Sequence, residues 1–483
     1  MSTPDLPGAV AAAAAHPITR PHAHVHFGVF FQGVNHHTVW SDPRSGSQTD
    51  FASFRRVIET AERGIFDAFF LGEGLRLRES SGHLHDLDVV GRPDAITQLA
   101  ALAAITTKIG LVATQNTTYN DPADLARRLA SLDVLSGGRA AWNVVTTDNA
   151  WTGANFRRGG YLDHADRYLR AEEVVRAAQA IWDSWSDDAI ATSRTEASWL
   201  RPGAVAPVTA GAKTLNVHLT PTVPRSPQGH PVLFQAGDSP AGRTFAANNA
   251  DVIFSAHGTD LDDALAFARD IRRRVSAAGR PSDDVKIFPG TSFVLGRTSA
   301  EAADKARWLA EQQVTPATAL SLLSQIWGED LSDYDPDGPL PDHDPAPRVI
   351  EATRGTARTG ADPIALARAL RTRAVAEDLS IRQAVIATDR RAAFVGTPSE
   401  VASQLITFVR TGAVDGFNIS PWLIPDGLDD IVDQLVPELQ ERGAYPTAYV
   451  GNTLREHLGL RDPLTRRAGA SGRGAELGLG VGA

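Results

Sequence analysis

The sharpest chemical signal in the chain is the run Gln235-Ala236-Gly237-Asp238-Ser239-Pro240-Ala241-Gly242. An apolar stretch ends in glycine, a serine stands where it can cap a helix, and proline takes the first helical position. Free backbone N–H groups and the positive end of such a helix form an anion site, most often for phosphate. A capped helix that binds nothing has the same spacing. Asp238 must point its carboxylate away from any phosphate. His164 and Tyr168 are four residues apart and share a face of the helix expected over 163–185, so both can donate to one ligand. The plain alternative is a core tyrosine beside a solvated histidine.

Other polar groups gather where apolar runs end. They are Asn35-His36-His37-Thr38-Val39-Trp40, Gly72-Glu73-Gly74, Thr114-Gln115-Asn116-Thr117-Thr118-Tyr119 and Asn143-Val144-Val145-Thr146-Thr147. Mostly neutral hydrogen-bonding groups suit a planar, polar-edged ligand better than a bare metal. Helix capping explains any one cluster, though less easily four in succession. His22, His24 and His26 suggest the H-x-H of a metal-dependent hydrolase. That chemistry wants a lysine at the fourth strand, where Asn143 stands, and His257 is its only other support. No nucleophile elbow and no P-loop occurs.

The elements that must position these groups alternate. Apolar runs at 25–32, 66–71, 108–114, 140–145, 232–236, 252–255, 286–295 and 416–420 read as strands. Segments of helical period follow at 50–63, 94–107, 121–135, 163–185, 240–249, 260–278, 398–411 and 428–442. Eight such strands close most naturally into a (β/α)8 barrel, an α/β fold with its chemistry at the carboxyl ends of the strands. A doubly wound sheet would want a glycine-rich turn after the first strand, and Gln32-Gly33-Val34-Asn35 is not one. Two excursions, about 187–230 and 312–390, interrupt the rhythm. The second carries an acidic, proline-rich stretch that cannot be regular structure. Residues 1–24 read as a flexible N-terminal arm, 25–445 as the barrel, and 446–483 as a C-terminal extension with a disordered end.

Composition narrows the classes. The 483 residues are 42% hydrophobic and 22% charged, ordinary for a soluble globular chain. With 47 basic and 57 acidic residues the formal charge is −10, which disfavours nucleic acid. No cysteine is present, so disulfides and thiolate chemistry are excluded. No apolar run reaches the ~20 residues that span a bilayer, and the alanines at 9–15 lack a basic lead-in. The expectation is a cytoplasmic protein without a membrane partner.

Taken together, these segments resemble the flavin-dependent monooxygenases of the bacterial-luciferase-like superfamily, in the group of nitrilotriacetate monooxygenase, pristinamycin synthase and dibenzothiophene-sulfone monooxygenase. The matching stretches are NHHTVW at 35–40, ERGIFDAFFLGEG at 62–74, GLVATQNTTYNDPADLARRLASLDVLSGGRAAWNVVT at 110–146, NFRRGGYLDHADRYLRAEE at 155–173 and PRSPQGHPVLFQAGDSPAG at 224–242. VGTPSEVASQL and DGFNIS follow towards the C-terminus.

The resemblance implies a luciferase-like barrel that takes FMN as FMNH2 from a separate NAD(P)H:flavin reductase. It also implies O2 activation and insertion of one oxygen atom into a small organic substrate, commonly ending in C–S, C–N or C–halogen cleavage. Thr114, His164, Tyr168 and Ser239 match the family's FMN contacts, the last three at the phosphate end. Glu73 stands where the family usually has aspartate, and Asn116 replaces a common serine. Asn143 with Asn35, His36, His37 and Trp40 would border the flavin ring and the substrate. By analogy the barrels pair into a homodimer or homotetramer, and 312–390 would form a lid. A deazaflavin (F420) oxidoreductase on the same barrel and a non-catalytic flavin-binding protein are the alternatives.

Overall fold

The computed structural model describes residues 17–31, 37–77, 79–80, 83–84, 91–147, 150–156, 164–345, 363–388 and 394–463. Eight strands form a closed barrel: β1 (His26–Phe31), β2 (Ala68–Leu71), β3 (Gly110–Asn116), β4 (Ala140–Val145), β5 (Val232–Gln235), β6 (Val252–Ser255), β7 (Lys286–Thr291) and β8 (Gly416–Ile419). Each pairs in parallel with its neighbours in sequence, and β8 closes on β1 through His26↔Gly416 to Val29↔Ile419. All eight are the strands expected from the apolar runs. Runs such as AFFL at Ala68–Leu71 are buried at every position, because one side faces the barrel interior and the other the helices.

The barrel helices are α1 (Phe51–Arg63), α2 (Ala95–Ala103), α3 (Pro122–Leu135), α4 (His164–Trp182), α5 (Pro240–Asn249), α6 (Leu261–Ala277) and α7 (Pro398–Arg410). A π-helical turn, Ile431–Leu435, runs into α8 (Val436–Glu441) after β8. Local chemistry starts them: Asp50, Asp94, Asp121, Ser239, Asp260 and Thr397 each cap a helix through a side-chain oxygen. On α1 the residues Phe54, Val57, Ile58 and Ala61 form the buried stripe that packs on the barrel.

One expected strand divides. The run 286–295 leaves the barrel after Thr291, and Phe293–Leu295 pairs instead with Phe394–Gly396 in a separate two-stranded sheet. The excursion 187–230 holds two antiparallel hairpins, Ile190–Ser193 with Ser198–Leu200 and Val208–Gly211 with Asn216–Leu219. The second excursion carries helices Pro316–Trp327, Pro363–Glu377 and Ile381–Thr388, while 332–345 has no regular structure. Ahead of it lies Ser299–Gln313, a helix that the sequence pattern left open. Residues 346–362, in the expected lid, lie outside the described residues, as do 1–16 and 464–483.

The barrel interior is packed. Ala68, Phe70, Val112, Ala141, Val232, Phe234, Val252 and Phe288 form one cluster, closed from below by Leu454 and Leu458. Gly110 makes room for this plug, since a Cβ there would come within 2.5 Å of Leu454 Cδ1. With every strand staggered against the next, inward side chains fall into layers of four. The registers bring Phe70, Asn143, Phe254 and Asn418 to one layer just under the mouth, with Phe30 and Thr114 above it.

Candidate functional site

On one side of the mouth, the ends of β2, β3 and β4 bring four of the expected residues together. Asn143 Nδ2 donates to Thr114 Oγ1 at 3.1 Å. Asn116 Oδ1 accepts the backbone N–H groups of Thr118 (2.6 Å) and Tyr119 (3.0 Å), which folds the loop after β3 back on itself. Asn143 Oδ1 and Asn116 Nδ2 are buried without a protein partner, as is Asn418 Oδ1 on β8. Each such orphan costs on the order of 1–3 kcal/mol. These three amide atoms, near the mouth, are groups that a polar ligand seated there could satisfy.

Glu73 follows β2 and leans on β3. Gln115 Nε2 lies 3.1 Å from both carboxylate oxygens, and Ala95 N–H at the start of α2 lies 3.4 Å from one. Burial first, and the neighbouring Asp94 second, push its carboxyl up to about 7 against these donors. Gln115 was legible only as part of a polar run. Its role as the clamp on Glu73 depends on strand register, since it points outward while Thr114 and Asn116 point inward.

Next to this cluster is the start of α5, which follows β5, the strand paired with β4 through Asn143↔Phe234. Ser239 Oγ accepts Gly242 N–H at 3.1 Å, with Pro240 in the first turn. Gly242 packs on the Gly237 backbone, and a Cβ on it would lie 2.9 Å from the Gly237 carbonyl and 2.8 Å from Tyr168 Oη. Tyr168 on α4 thus brings its hydroxyl to the first turn of α5, while its ring packs on Phe245, 5.9 Å between centroids. Tyr168 and Gly242, 74 positions apart in sequence, meet here. Asp238 points elsewhere: Arg243 Nη2 and His257 Nε2 each lie 3.1 Å from its carboxylate.

The remaining expected residues are placed as follows. His164 is the first residue of α4. Asn35 and His36 lie outside the described residues. The His37 carbonyl accepts from Gln313 Nε2, which ties the segment after β1 to the helix Ser299–Gln313. Trp40 stands at the rim, 51% exposed, beside Val39, whose N–H bonds the Trp422 carbonyl at 2.8 Å. His22 and His24 are exposed, and His26 sits at the amino end of β1, 3.1 Å from Asp67 and away from the mouth. Among the described residues, no group of three His, Cys, Asp or Glu side chains is arranged to hold a metal ion. Among them, too, no helix is long and apolar enough to cross a membrane.

Comparison with known proteins agrees with this geometry. The sequence pattern described as luciferase-like monooxygenase matches residues 25–415. The chain is 37% identical over 451 residues to the N-acetyl-S-(2-succino)cysteine monooxygenase of Bacillus subtilis (strain 168), covering 92% of this chain and 98% of that protein. It is 37% identical over 455 residues to nitrilotriacetate monooxygenase component A of Aminobacter aminovorans, covering 91% and 97%. The solved structure of DmoA from Hyphomicrobium sulfonivorans superposes with a TM-score of 0.78 at 29% identity, covering 94% of this chain and 97% of that one. Matched over most of its length in sequence and in fold, the chain belongs to the luciferase-like monooxygenase family.

Proposed function

We propose that the protein is the oxygenase of a two-component system. It takes FMNH2 from a separate NAD(P)H:flavin reductase and uses O2 to oxygenate a small organic substrate, with cleavage of a C–S, C–N or C–halogen bond. The observation that carries this is the meeting of Tyr168 and Gly242 beside the Ser239 cap at the start of α5, one strand along from the unpartnered Asn143 atom and two from that of Asn116. One end fits a phosphate and the other a polar-edged ring, so the residues fit FMN. The name of the Aminobacter relative, a component A, supports a partner that supplies the reductant.

When bound, reduced FMN supplies the two electrons with which O2 is divided between substrate and water. The chain's own residues do the rest. Ser239, Tyr168 and His164 hold the phosphate end by charge-assisted hydrogen bonds. Thr114, Asn116 and Asn143 orient the ring through neutral groups. Burial raises the Glu73 carboxyl to about 7, so it is mostly protonated and adds little negative charge below that pH. Phe30, Phe70 and Phe254, in mutual contact at 4.9–6.2 Å, form a floor that excludes water from below. His37 and Trp40 border the substrate side. The protein acts in the cytoplasm as a homodimer or homotetramer.

The test is turnover of a panel of thioethers, amines and haloalkanes with a flavin reductase, NADH and 18O2. The expected result is one 18O atom in product, with no product when reductase or O2 is left out. Oxygen-independent reduction with F420 would overturn it, as would tight FMN binding with no oxygenated product across the panel.

A further inference from the structure

Asp238 is an anion one residue outside the helix cap, at the very site taken here for the FMN phosphate. A free carboxylate there would repel the phosphate. It is not free. Arg243 Nη2 lies 3.1 Å from Asp238 Oδ1, and Arg243 Nε donates to the Asp238 backbone carbonyl at 3.0 Å. His257 Nε2 lies 3.1 Å from Asp238 Oδ2, and the other ring nitrogen of His257 lies 2.7 Å from Asp263. Both holders rest on one aromatic ring: His257 stacks on Phe267 at 4.5 Å and 19°, and the Arg243 guanidinium lies over it at 4.7 Å. Arg243 is further fixed by Asp270 at 3.3 Å. The arrangement draws the carboxylate towards α6 and the loop after β6.

We infer that Arg243 and His257 are positioning residues that pull the Asp238 carboxylate away from the phosphate subsite, and so set the preference of the mouth for a phosphorylated flavin. This rests on the placement of the FMN phosphate at Ser239. Neither residue needs to touch the ligand; each acts through Asp238.

The experiment compares equilibrium affinities for FMN and riboflavin, which differ by the phosphate alone, in the wild-type protein and in H257F, D238N and D238N/H257F. H257F keeps a ring on Phe267 but removes one of the two groups that hold the carboxylate. The expected result is a fall of about five- to tenfold in the FMN-to-riboflavin affinity ratio for H257F, with riboflavin affinity unchanged. The ratio should return to the wild-type value or above in D238N/H257F. R243M reports on the same carboxylate from its other side and should move the ratio in the same direction. An unchanged ratio in H257F and R243M overturns the inference. So does a loss that D238N does not rescue, because His257 would then act on the phosphate directly. A wild-type protein that binds both flavins equally would instead overturn the phosphate placement, and the inference with it.

Discussion

Tyr168 and Gly242 come from different helices and touch only because Gly242 has no side chain. A Cβ there would stand 2.8 Å from the Tyr168 hydroxyl. The contact puts a phenolic O–H at the first turn of α5 beside Ser239. Y168F should weaken FMN by the loss of one charge-assisted hydrogen bond, about 1.5–3 kcal/mol or roughly 10- to 150-fold. G242A should weaken it in the same direction by displacing the ring. Fluorescence titration of FMN checks both; unchanged affinity in either contradicts the placement.

Ser239 caps α5, and the proposed placement gives it a second role as phosphate donor; the two can be separated. As a helix cap, its replacement by alanine should cost about 1 kcal/mol of stability, whereas glycine should cost only a few tenths. As a phosphate donor, it is lost equally in both. S239A and S239G should therefore weaken FMN alike, while urea unfolding of the flavin-free protein shows a clear loss for S239A only.

Glu73 gives the flavin-free protein a pH signature. Its folded-state value, about 7, lies above the ordinary 4.5 of the unfolded chain. The folded state therefore binds the proton more tightly. That stabilisation is fully present below about pH 4.5 and is lost as pH rises through about 7. The wild-type protein should lose on the order of 3 kcal/mol relative to E73Q between pH 4.5 and pH 8. Equal pH dependence of urea midpoints in the two proteins would show that folding does not raise the Glu73 carboxyl.

The amino end of the barrel is a separate matter from the mouth. Leu454 is fully buried against the interior cluster and sits over Gly110. L454A should cost about 2–5 kcal/mol through transfer and cavity terms. FMN affinity should not change, because the proposed flavin site lies at the other end of the strands. A large loss of FMN affinity at unchanged stability would contradict that separation.

The sequence made the barrel legible because its strands are apolar on both faces and its helices begin at Asp, Ser or Thr caps. The strand ends carry polar residues in an otherwise apolar context, so Thr114, Asn116, Asn143 and Ser239 stood out. Asn418 did not, since a single asparagine in Gly416–Ile419 gains meaning only when register puts it in the layer of Asn143. Gln115 and Gly242 lay in the quoted runs without a role, since one acts across strands and the other by lacking an atom. The split at Thr291 was invisible because Phe293–Leu295 is as apolar as the barrel strand before it. The plug at Leu454 follows a break in the βα rhythm, where periodicity carries no information about what a segment packs against.

The most direct test of the central claim is a crystal structure of the protein with FMN bound. The phosphate is expected within hydrogen-bond distance of Ser239 Oγ and Tyr168 Oη, at the start of α5, with the ring reaching towards Thr114 and Asn143. Phosphate density anywhere else, or a mouth left empty at saturating FMN, would contradict it.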